Sequence, residues 1–330
     1  MLVVHHAIFC QLFTMSPLVS IITVNYNALE VTCEMIKSIQ QNSYQHVEIV
    51  VVDNASDQNP AAYLRKHYPK VKFVRSEKNL GFAGGNNLGI QACTGNFLFF
   101  LNNDAELTDG ALETLLEVFV KFPRAGIVSP KICYYPAKPG SEQDVIQYAG
   151  TTHVHPFTAR NSTLGEREID NGQFKETAKT AYAHGAAMMV PRKVIEKVGL
   201  MSEEFFLYYE ELDWCEMIRR QGFEIYVEPN AKIYHKESYS VNKISALKTF
   251  YLNRNRILFM RRNRTALQLT VFYMFLLFFT IPKNAISFLF KADYVNFKAF
   301  LRAIFWHLQK PNKIRPVSTP LTLKVPSVEF

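Results

Sequence analysis

The run Phe97–Leu101, Phe-Leu-Phe-Phe-Leu, constrains this chain more than any other stretch. Five consecutive apolar residues need both faces covered, which predicts a central strand of a parallel sheet. The run stops in Asn102-Asn103-Asp104. Ligands of open α/β sheets bind at the carboxyl ends of the strands, and amide and carboxylate oxygens are ligands for hard cations. A cation site is one interpretation, and a polar turn that merely ends a buried strand is the other.

The same pattern recurs twice before this run. The β-rich segment 19–24 ends in Asn25, and the segment 47–52 ends in Asp53. Helical patterns separate these segments, which indicates βαβ units and a mostly parallel sheet with helices on both faces. Asn25, Asp53 and Asp104 then fall on one edge of the sheet, as a nucleotide cleft requires.

The second half of the pattern is less regular. It predicts a helix over 109–122, a strand over 126–132, a long loop or insertion over the cleft at 135–180, a strand over 181–190, a helix over 210–221 and short strands over 223–227 and 232–234. Together, 16–240 form one α/β domain with a nucleotide-binding half, 16–105, and an acceptor half, 106–240. Basic and apolar helices are expected over 241–310. We expect an ill-determined extension at 1–15, with Met15 a possible start, and a loose tail at 311–330.

Composition narrows the partners. The chain has 330 residues, a net charge of +8 and 48% hydrophobic residues, which suits a globular protein with anionic partners. The arginines of 254–264 precede the apolar run 270–281, rather than lining an aromatic-interleaved groove, so nucleic acid ranks last among those partners. Five scattered cysteines indicate thiols of a reducing compartment.

The apolar run 270–281 is about 12 residues long and stops at Pro282, against the ~20 residues that span a bilayer. We therefore predict no membrane-spanning segment. Two interpretations stay open for the aromatic, basic helices around this run: they lie at a membrane interface, or they pack their apolar face on the domain.

Six motifs, in this order, resemble family-2 glycosyltransferases of the GT-A fold. The likeness covers about residues 17–262 and is strongest to bacterial rhamnosyltransferase-like enzymes of surface polysaccharide synthesis. The motifs are Val-Ser-Ile-Ile-Thr-Val-Asn-Tyr-Asn at 19–27, Val-Val-Asp-Asn-Ala-Ser-Asp at 51–57, Asn-Leu-Gly-Phe-Ala-Gly-Gly-Asn-Asn at 79–87, Leu-Asn-Asn-Asp-Ala-Glu at 101–106, Tyr-Glu-Glu-Leu-Asp-Trp-Cys at 209–215, and His235.

The resemblance implies an inverting, metal-dependent transfer of a sugar, with rhamnose among the candidates. The donor would be a dTDP- or UDP-sugar, and the acceptor a glycan or a polyprenyl-diphosphate-linked glycan of O-antigen, capsule or exopolysaccharide. Such an enzyme would be cytoplasmic and peripheral on the inner face of the membrane. The alternative is a catalytically silent module of the same fold that binds glycan or nucleotide; turnover with a metal separates the two.

The resemblance also implies roles for individual residues. Glu211 stands where the family has its catalytic Asp, with Glu210 and Asp213 beside it; the bland interpretation is a solvated helix start. Asp53 would accept a hydrogen bond from N3–H of uracil or thymine, or would only cap the next turn. The implied donor-binding set is Asn25, Asn27, Asp53, Asn54, Asn79, Gly81, Gly84, Asn86, Asn103 and Asp104, although the glycines could serve packing alone.

Asp104 and His235 are the implied ligands of a divalent cation, Mg²⁺ or Mn²⁺. Asn102 replaces the first Asp of the family's Asp-x-Asp motif, so one carboxylate is missing. The expected acceptor-binding residues are Tyr208, Tyr209, His184 and Arg254. Arg254 belongs to a Tyr-x-x-Arg-Asn element at 251–255 whose arginines could meet an acceptor diphosphate or lipid headgroups, or could form a solvated basic face.

Overall fold

The computed structural model describes residues 16–136, 143–236 and 245–309. The strands are β1 (Val19–Asn25), β2 (Val47–Asp53), β3 (Lys72–Arg75), β4 (Phe97–Leu101), β5 (Ala105–Leu107), β6 (Ala125–Tyr134), β7 (Ile146–Tyr148), β8 (Ala178–Lys179), β9 (Ala187–Pro191) and β10 (Glu224–His235). The helices are α1 (Leu29–Gln40), α2 (Ala61–His67), α3 (Gly81–Ala92), α4 (Ala111–Lys121), α5 (Arg192–Val198), α6 (Glu210–Arg220), α7 (Ser245–Asn263), α8 (Ala266–Phe275), α9 (Ile281–Phe290) and α10 (Tyr294–Gln309).

All ten of these strands form one mixed sheet. Its main path runs β3-β2-β1-β4-β9-β6-β10-β5, with β7 beside β6 and β8 beside β10. Strands β3, β2, β1 and β4 are parallel, and β9 enters antiparallel between β4 and β6. Strand β4 therefore lies in the middle of the sheet, and its last four residues are buried. The central-strand prediction is confirmed.

Helices cover both faces of the sheet, as predicted. Alternate residues of a strand point to opposite faces, and in β4 Phe100 joins one core cluster while Phe99 joins the other. The Phe100 side includes Trp214 of α6 and Phe259 of α7. The Phe99 side includes residues of α1 and α4, among them Met35. Two apolar layers enclosing one sheet explain why β4 has no polar face.

The segment 135–180, predicted as a long loop or insertion over the cleft, includes two short strands. It contains β7 and β8, which pair with β6 and β10, and residues 137–142 lie outside the described part. Tyr148 is fully buried, and its hydroxyl donates to the carbonyl of Tyr182 at 2.8 Å. Strands of two or three residues are too short to show a period, which is why the pattern gave no strand here.

Two other boundaries differ from the prediction. The expected strands at 223–227 and 232–234 are one strand, β10, with an irregularity in its pairing to β6 between Glu228 and Lys232. The strand expected from residue 181 begins only at Ala187, since 181–186 turns through the cleft instead.

Helix α8 does not stop before Pro282. It continues through a π-helical turn, Leu276–Thr280, into α9, because proline is tolerated in the first turn of a helix. The resulting span, Ala266–Phe290, is long and apolar enough by length and composition to cross a membrane, and only 17% of its most apolar window is buried. The helix therefore continues past Pro282, where the predicted apolar run stopped, and Phe272 and Leu276 within it pack into the domain core.

Candidate active site

A cleft of about 400 Å³ opens where β1, β2 and β4 end. Side chains from the loops after these strands, from α3, from the segment before α6 and from α7 surround it. The lining residues are Val24, Tyr26, Asn54, Asn79, Gly81, Phe82, Asn86, Leu101, Asn102, Asn103, Asp104, Gln147, His184, Gly185, Ala186, Phe206, Leu207, Tyr208, Glu210, Glu211, His235, Leu247 and Lys248.

The ends of β1 and β2 form a buried polar base behind the cleft. Asn25 and Asp53 are register partners, and the Asn25 amide donates to Asp53 Oδ1 at 2.8 Å. The other oxygen of Asp53 accepts from Arg75 at 2.6 Å and from the backbone of Ser56. Asp53 is 0% exposed. Its carboxylate thus braces the strand ends, and Arg75 lies between it and solvent.

Asn54 ties the glycine-containing turn to this base. Its amide donates to Asn79 Oδ1 and to the Gly81 carbonyl, both at 3.0 Å, and its own Oδ1 accepts from the Leu80 backbone. Gly81 has φ +71°, and a Cβ there would lie 2.1 Å from the carbonyl oxygen of Phe206. Glycine is required because the backbone of the segment before α6 occupies that space.

Asp104 and His235 meet on the opposite side of the cleft. Strand β5 pairs with β10, and this pairing brings His235 Nε2 to 3.0 Å from Asp104 Oδ1. Gln147 Oε1 lies 2.9 Å from His235 Nδ1, so Nδ1 carries a proton and Nε2 faces the carboxylate. Asn102 Nδ2 lies 3.3 Å from His235 Nε2.

This group fits a divalent cation in its chemistry. An imidazole nitrogen and a carboxylate oxygen that face one another need a shared positive charge, supplied by a proton or by a metal ion. Nitrogen and oxygen ligands suit Mn²⁺, and an outer carbonyl that orients a ligating histidine is a common feature of metal sites. Asn103 lines the same cleft, and its Nδ2 donates to the Thr32 hydroxyl at 3.0 Å.

His184 stands beside this group as a neutral imidazole. Burial and then the neighbouring His235 lower the pKa of His184 to about 3. The Ala186 N–H donates to its Nδ1 at 3.1 Å, so Nε2 carries the proton. His184 therefore offers the cleft a hydrogen-bond donor without a charge.

Glu210 and Glu211 begin α6 and face the same cleft. Burial, and then the Glu211 carboxylate, raise the pKa of Glu210 well above its usual range. Burial raises the pKa of Glu211 to about 7. One oxygen of each carboxyl group is buried without a hydrogen-bond partner among the described residues. Burial thus favours the protonated form of both carboxyl groups, and Glu211 titrates near neutral pH.

The structure separates the predicted site residues into two layers. The residues that line the cleft are Asn54, Asn79, Gly81, Asn86, Asn103, Asp104, His184, Tyr208, Glu210, Glu211 and His235. Asn25 and Asp53 lie behind them, and Asn27 bonds with Asp57 in the turn after β1. Gly84 serves packing, since a Cβ there would meet the Leu80 side chain at 2.7 Å.

Three residues predicted to act in the cleft make their described side-chain contacts outside its lining. Asp213 is 1% exposed and pairs with Arg262 at 2.9 Å, because it lies on the face of α6 that packs on α7. Arg254 is 6% exposed and donates to backbone carbonyls. Tyr209 packs against Phe259. This geometry directs the polar groups of Asp213 and Arg254 away from the cleft and packs the Tyr209 ring on the domain core.

Twelve of the lining residues were absent from the predicted set, among them Tyr26, Phe82, Gln147 and Lys248. Tyr26 and Phe82 lie inside the motifs 19–27 and 79–87, so these motifs could have marked them as residues of the site. Gln147 and Lys248 come from segments without a motif and reach the cleft only through β6–β7 pairing and the packing of α7. No sequence pattern marks them.

The sequence profile described as Glycosyl transferase family 2 matches residues 20–199. This is more than half of the chain, and the chain belongs to that family. It is a glycosyltransferase, as the motifs predicted.

Three curated relatives align with most of this chain. The low-salt glycan biosynthesis hexosyltransferase Agl10 of Haloferax volcanii is 27% identical over 74% of this chain and 76% of its own. An N-acetylglucosaminyl-diphospho-decaprenol L-rhamnosyltransferase of Mycobacterium tuberculosis is 22% identical over 69% and 79%. The dTDP-rhamnosyl transferase RfbF of Shigella flexneri is 23% identical over 76% and 82%.

Solved structures agree on the fold. GalNAc-T7, crystallised with UDP, GalNAc and Mn²⁺, is 15% identical and aligns with a TM-score of 0.58 over 74% of this chain and 48% of its own. The mannosyltransferase PcManGT of Pyrobaculum calidifontis, in complex with GDP-Man and Mn²⁺, is 15% identical and aligns with a TM-score of 0.52 over 94% and 84%. The fold is GT-A, with additional helices at the C-terminal side.

Replacing Gly81 with alanine tests the contact between the glycine turn and the segment before α6. We expect Gly81→Ala to lower the free energy of unfolding by at least ~3 kcal/mol, because a left-handed φ and a clash with the Phe206 backbone both oppose the new Cβ. Gly110→Ala is the matched control, with φ +74° and no atom within 4 Å of its Cβ, and should cost ~1 kcal/mol. Equal losses in urea denaturation would contradict the close approach.

Proposed function

We propose that this enzyme transfers a sugar with inversion from a nucleotide-diphosphate sugar to a hydroxyl group of a glycan or lipid-linked acceptor. The observation that carries the proposal is the position of Glu211. It lies in the same cleft as Asp104 and His235, and burial holds its pKa near neutrality. A general base works best when its pKa lies close to the operating pH.

Glu211 is the proposed base. Its carboxylate takes the proton of the acceptor hydroxyl while that oxygen attacks the anomeric carbon from the face opposite the diphosphate. The bond from the anomeric carbon to the diphosphate oxygen breaks, and the nucleoside diphosphate leaves with the electron pair. Burial and the Glu211 carboxylate favour the protonated form of Glu210, which in that form donates a hydrogen bond to a sugar or acceptor oxygen. The side chain of Glu, one methylene longer than Asp, reaches the cleft from the first turn of α6.

Asp104 and His235 are the proposed ligands of the divalent cation, with Asn103 as a further oxygen ligand. When bound, such a cation neutralises the charge that develops on the departing diphosphate. Solved relatives of this fold hold Mn²⁺ with UDP or GDP-Man. A second group, Cys133, Asp144 and Asp170, also clusters, but Lys232 and Lys131 already pair with its two carboxylates. We therefore place the cation at Asp104.

Base recognition differs from the simple expectation for Asp53. Both carboxylate oxygens of Asp53 are engaged, and the partly exposed Arg75 covers it. The donor base is therefore proposed to meet the Arg75–Asp53 pair rather than Asp53 alone. The name of the RfbF relative supports a dTDP-sugar, with UDP as the next choice.

The acceptor is proposed to carry a diphosphate-linked lipid, as the name of the mycobacterial relative describes for that protein. Lys248 of α7 is exposed and lines the cleft. We therefore propose that its positively charged ammonium group contacts the diphosphate of the acceptor. His184 and Tyr208 are proposed to bind acceptor or donor hydroxyls. Synthesis of a bacterial surface polysaccharide such as O-antigen is the corresponding pathway class.

A peripheral position on the inner face of the cytoplasmic membrane fits the helices that follow α7. Fourteen of the twenty-one exposed large apolar side chains in the described residues lie between 267 and 308. Residues 245–309 carry ten Lys or Arg against one acidic residue, Asp293. Exposed apolar surface of this extent with positive charge suits an anionic lipid surface. Because Phe272 and Leu276 pack on the domain, we propose that the helical span Ala266–Phe290 lies on the membrane rather than crossing it.

Glu211→Gln tests the base. We expect kcat to fall by about 10³-fold, as removal of a general base requires, with unchanged affinity for the nucleoside diphosphate. The wild-type enzyme should lose activity as pH falls through about 7, since protonation of Glu211 removes the base. Steady-state transfer measured from pH 5.5 to 8.5 checks both. Glu196→Gln, an exposed change on α5, is the control, and retained transfer by Glu211→Gln would exclude this base.

Asp104→Asn tests the cation site. We expect Mn²⁺ to tighten binding of dTDP or UDP to the wild type by about tenfold or more, and the variant to lose that gain because one carboxylate ligand is gone. Calorimetric titrations with and without Mn²⁺ measure it. Asp109→Asn, exposed and outside the cleft, should behave as the wild type. A Mn²⁺ effect that survives in Asp104→Asn would place the cation elsewhere.

Replacing Phe278, Phe279 and Phe290 together with glutamate tests membrane binding. Their side chains are 58%, 64% and 88% exposed, so the change removes apolar surface and adds negative charge without opening the core. We expect partition into vesicles rich in anionic phospholipid to fall by at least about tenfold. Tyr63→Glu, also exposed, is the control. Wild-type sedimentation of the triple variant would refute membrane binding through this surface.

A further inference from the structure

The segment 205–209, directly before Glu210, has an unusual backbone. Phe206, Tyr208 and Tyr209 have φ values of 65°, 71° and 74°. Side chains with a Cβ rarely adopt this left-handed region, and three such residues in one short segment need external support.

Asn255 of α7 supplies that support through its side-chain amide. Asn255 is 0% exposed, and its Nδ2 lies 2.8 Å from the carbonyl oxygen of Phe205, 2.7 Å from that of Leu207 and 2.8 Å from that of Tyr208. The two N–H groups of one amide are thus shared among three carbonyls of the same segment. A buried residue with this arrangement fixes where each of those peptide groups lies.

Arg254 completes the attachment. Its guanidinium donates to the carbonyls of Glu204 and Phe205, both at 2.6 Å, and its Nε donates to Asn255 Oδ1 at 2.7 Å. The guanidinium carbon lies 4.7 Å from the Tyr251 ring and 5.0 Å from the Trp306 ring. The charge is therefore enclosed by aromatic faces and backbone oxygens rather than turned to the cleft.

Segment 205–209 connects the two halves of the cleft. The Phe206 carbonyl accepts from the Phe82 N–H at 2.6 Å, which seats the segment on the glycine turn at the start of α3. At its other end the segment leads into Glu210 and Glu211. Tyr208 of the segment lines the same cleft as these two carboxyl groups. A change in its backbone therefore moves the carboxylate pair relative to the donor side.

We propose that Arg254 and Asn255 form a positioning pair that holds segment 205–209 in the conformation in which Glu211 reaches the acceptor hydroxyl. The inference rests on the proposed function of Glu211 and assigns α7 a part in it. It replaces the interpretation of Arg254 as a ligand of an acceptor diphosphate, since its donor groups already serve the segment.

Asn255→Ala in the full-length enzyme is the main test, with Asn253→Ala as the matched control. Asn253 lies on the same helix, and among the described residues its side chain donates only to the carbonyl of Thr249 one turn back. We expect Asn255→Ala to lower kcat by about 100-fold, because misplacing a catalytic group by about 1 Å costs that much. The dissociation constant of the nucleoside diphosphate should stay within about threefold of the wild-type value, since the donor side of the cleft is built on other strands. Asn253→Ala should leave both values unchanged.

Amide hydrogen exchange separates positioning from general destabilisation. Peptides covering 203–211 should exchange at least about tenfold faster in Asn255→Ala, while those of β1 and β4 exchange as in the wild type. An unchanged kcat, or an unchanged exchange rate in 203–211, would overturn the proposal.

Arg254→Gln gives a second variant, which decides the matter if Asn255→Ala does not fold. The positioning role predicts equal falls in kcat with a diphosphate-linked acceptor and with a simple glycoside acceptor. A higher KM for the diphosphate-linked acceptor alone would instead show that Arg254 binds the diphosphate, and would overturn the proposal. Absence of transfer by the wild type with dTDP-, UDP- and GDP-sugars would contradict the proposed function alone, because the exchange comparison would still decide the positioning pair.

Discussion

The parallel pairing of β1 with β2 and with β4 is the constraint on which the cleft depends. It places Asn25 beside Asp53 and sends the chain after β4 to the same edge. The polar groups that end these strands cannot be covered by a further strand, so they brace one another or face the cleft. Asp53 does the first and Asp104 the second. A shift in the register of β4 by one residue would move each of its side chains to the opposite face of the sheet, and both faces are buried.

Desolvation raises the pKa of the two carboxyl groups that begin α6. Glu210 and Glu211 are adjacent carboxyl groups in a buried position, where the ionised form is disfavoured and a second charge beside the first is disfavoured further. The favourable helix N-terminus offsets part of this cost. The same enclosure brings the pKa of Glu211 to about 7, as the proposed base requires, and it depends on the packing of segment 205–209 and α7 around the pair.

The sequence analysis placed residues 241–310 outside the α/β domain, but the structure shows that α7 belongs to its core and to the cleft. Helix α7 buries Leu258 and Phe259 in the same core as β4, contributes Leu247 and Lys248 to the cleft, and holds segment 205–209 through Asn255. The helices that follow present apolar residues outward. One face of this region thus completes the catalytic domain while the other is free for a partner surface.

The sequence by itself determined the alternation of strands and helices up to β4, the central position of β4 and the polar residues that stand at strand ends, such as Asp104. Each of these follows from local pattern, since strand burial and chain order are visible in consecutive residues. The GT-A fold and the place of Glu211 came instead from the resemblance of the six motifs to a known family. Only the tertiary structure decided that Gln147 orients His235, that Asp213 and Arg254 support the site from behind, and that Ala266–Phe290 continues through Pro282. These features join residues far apart in the chain, or depend on which face of a helix is covered, and packing between elements rather than local periodicity fixes both.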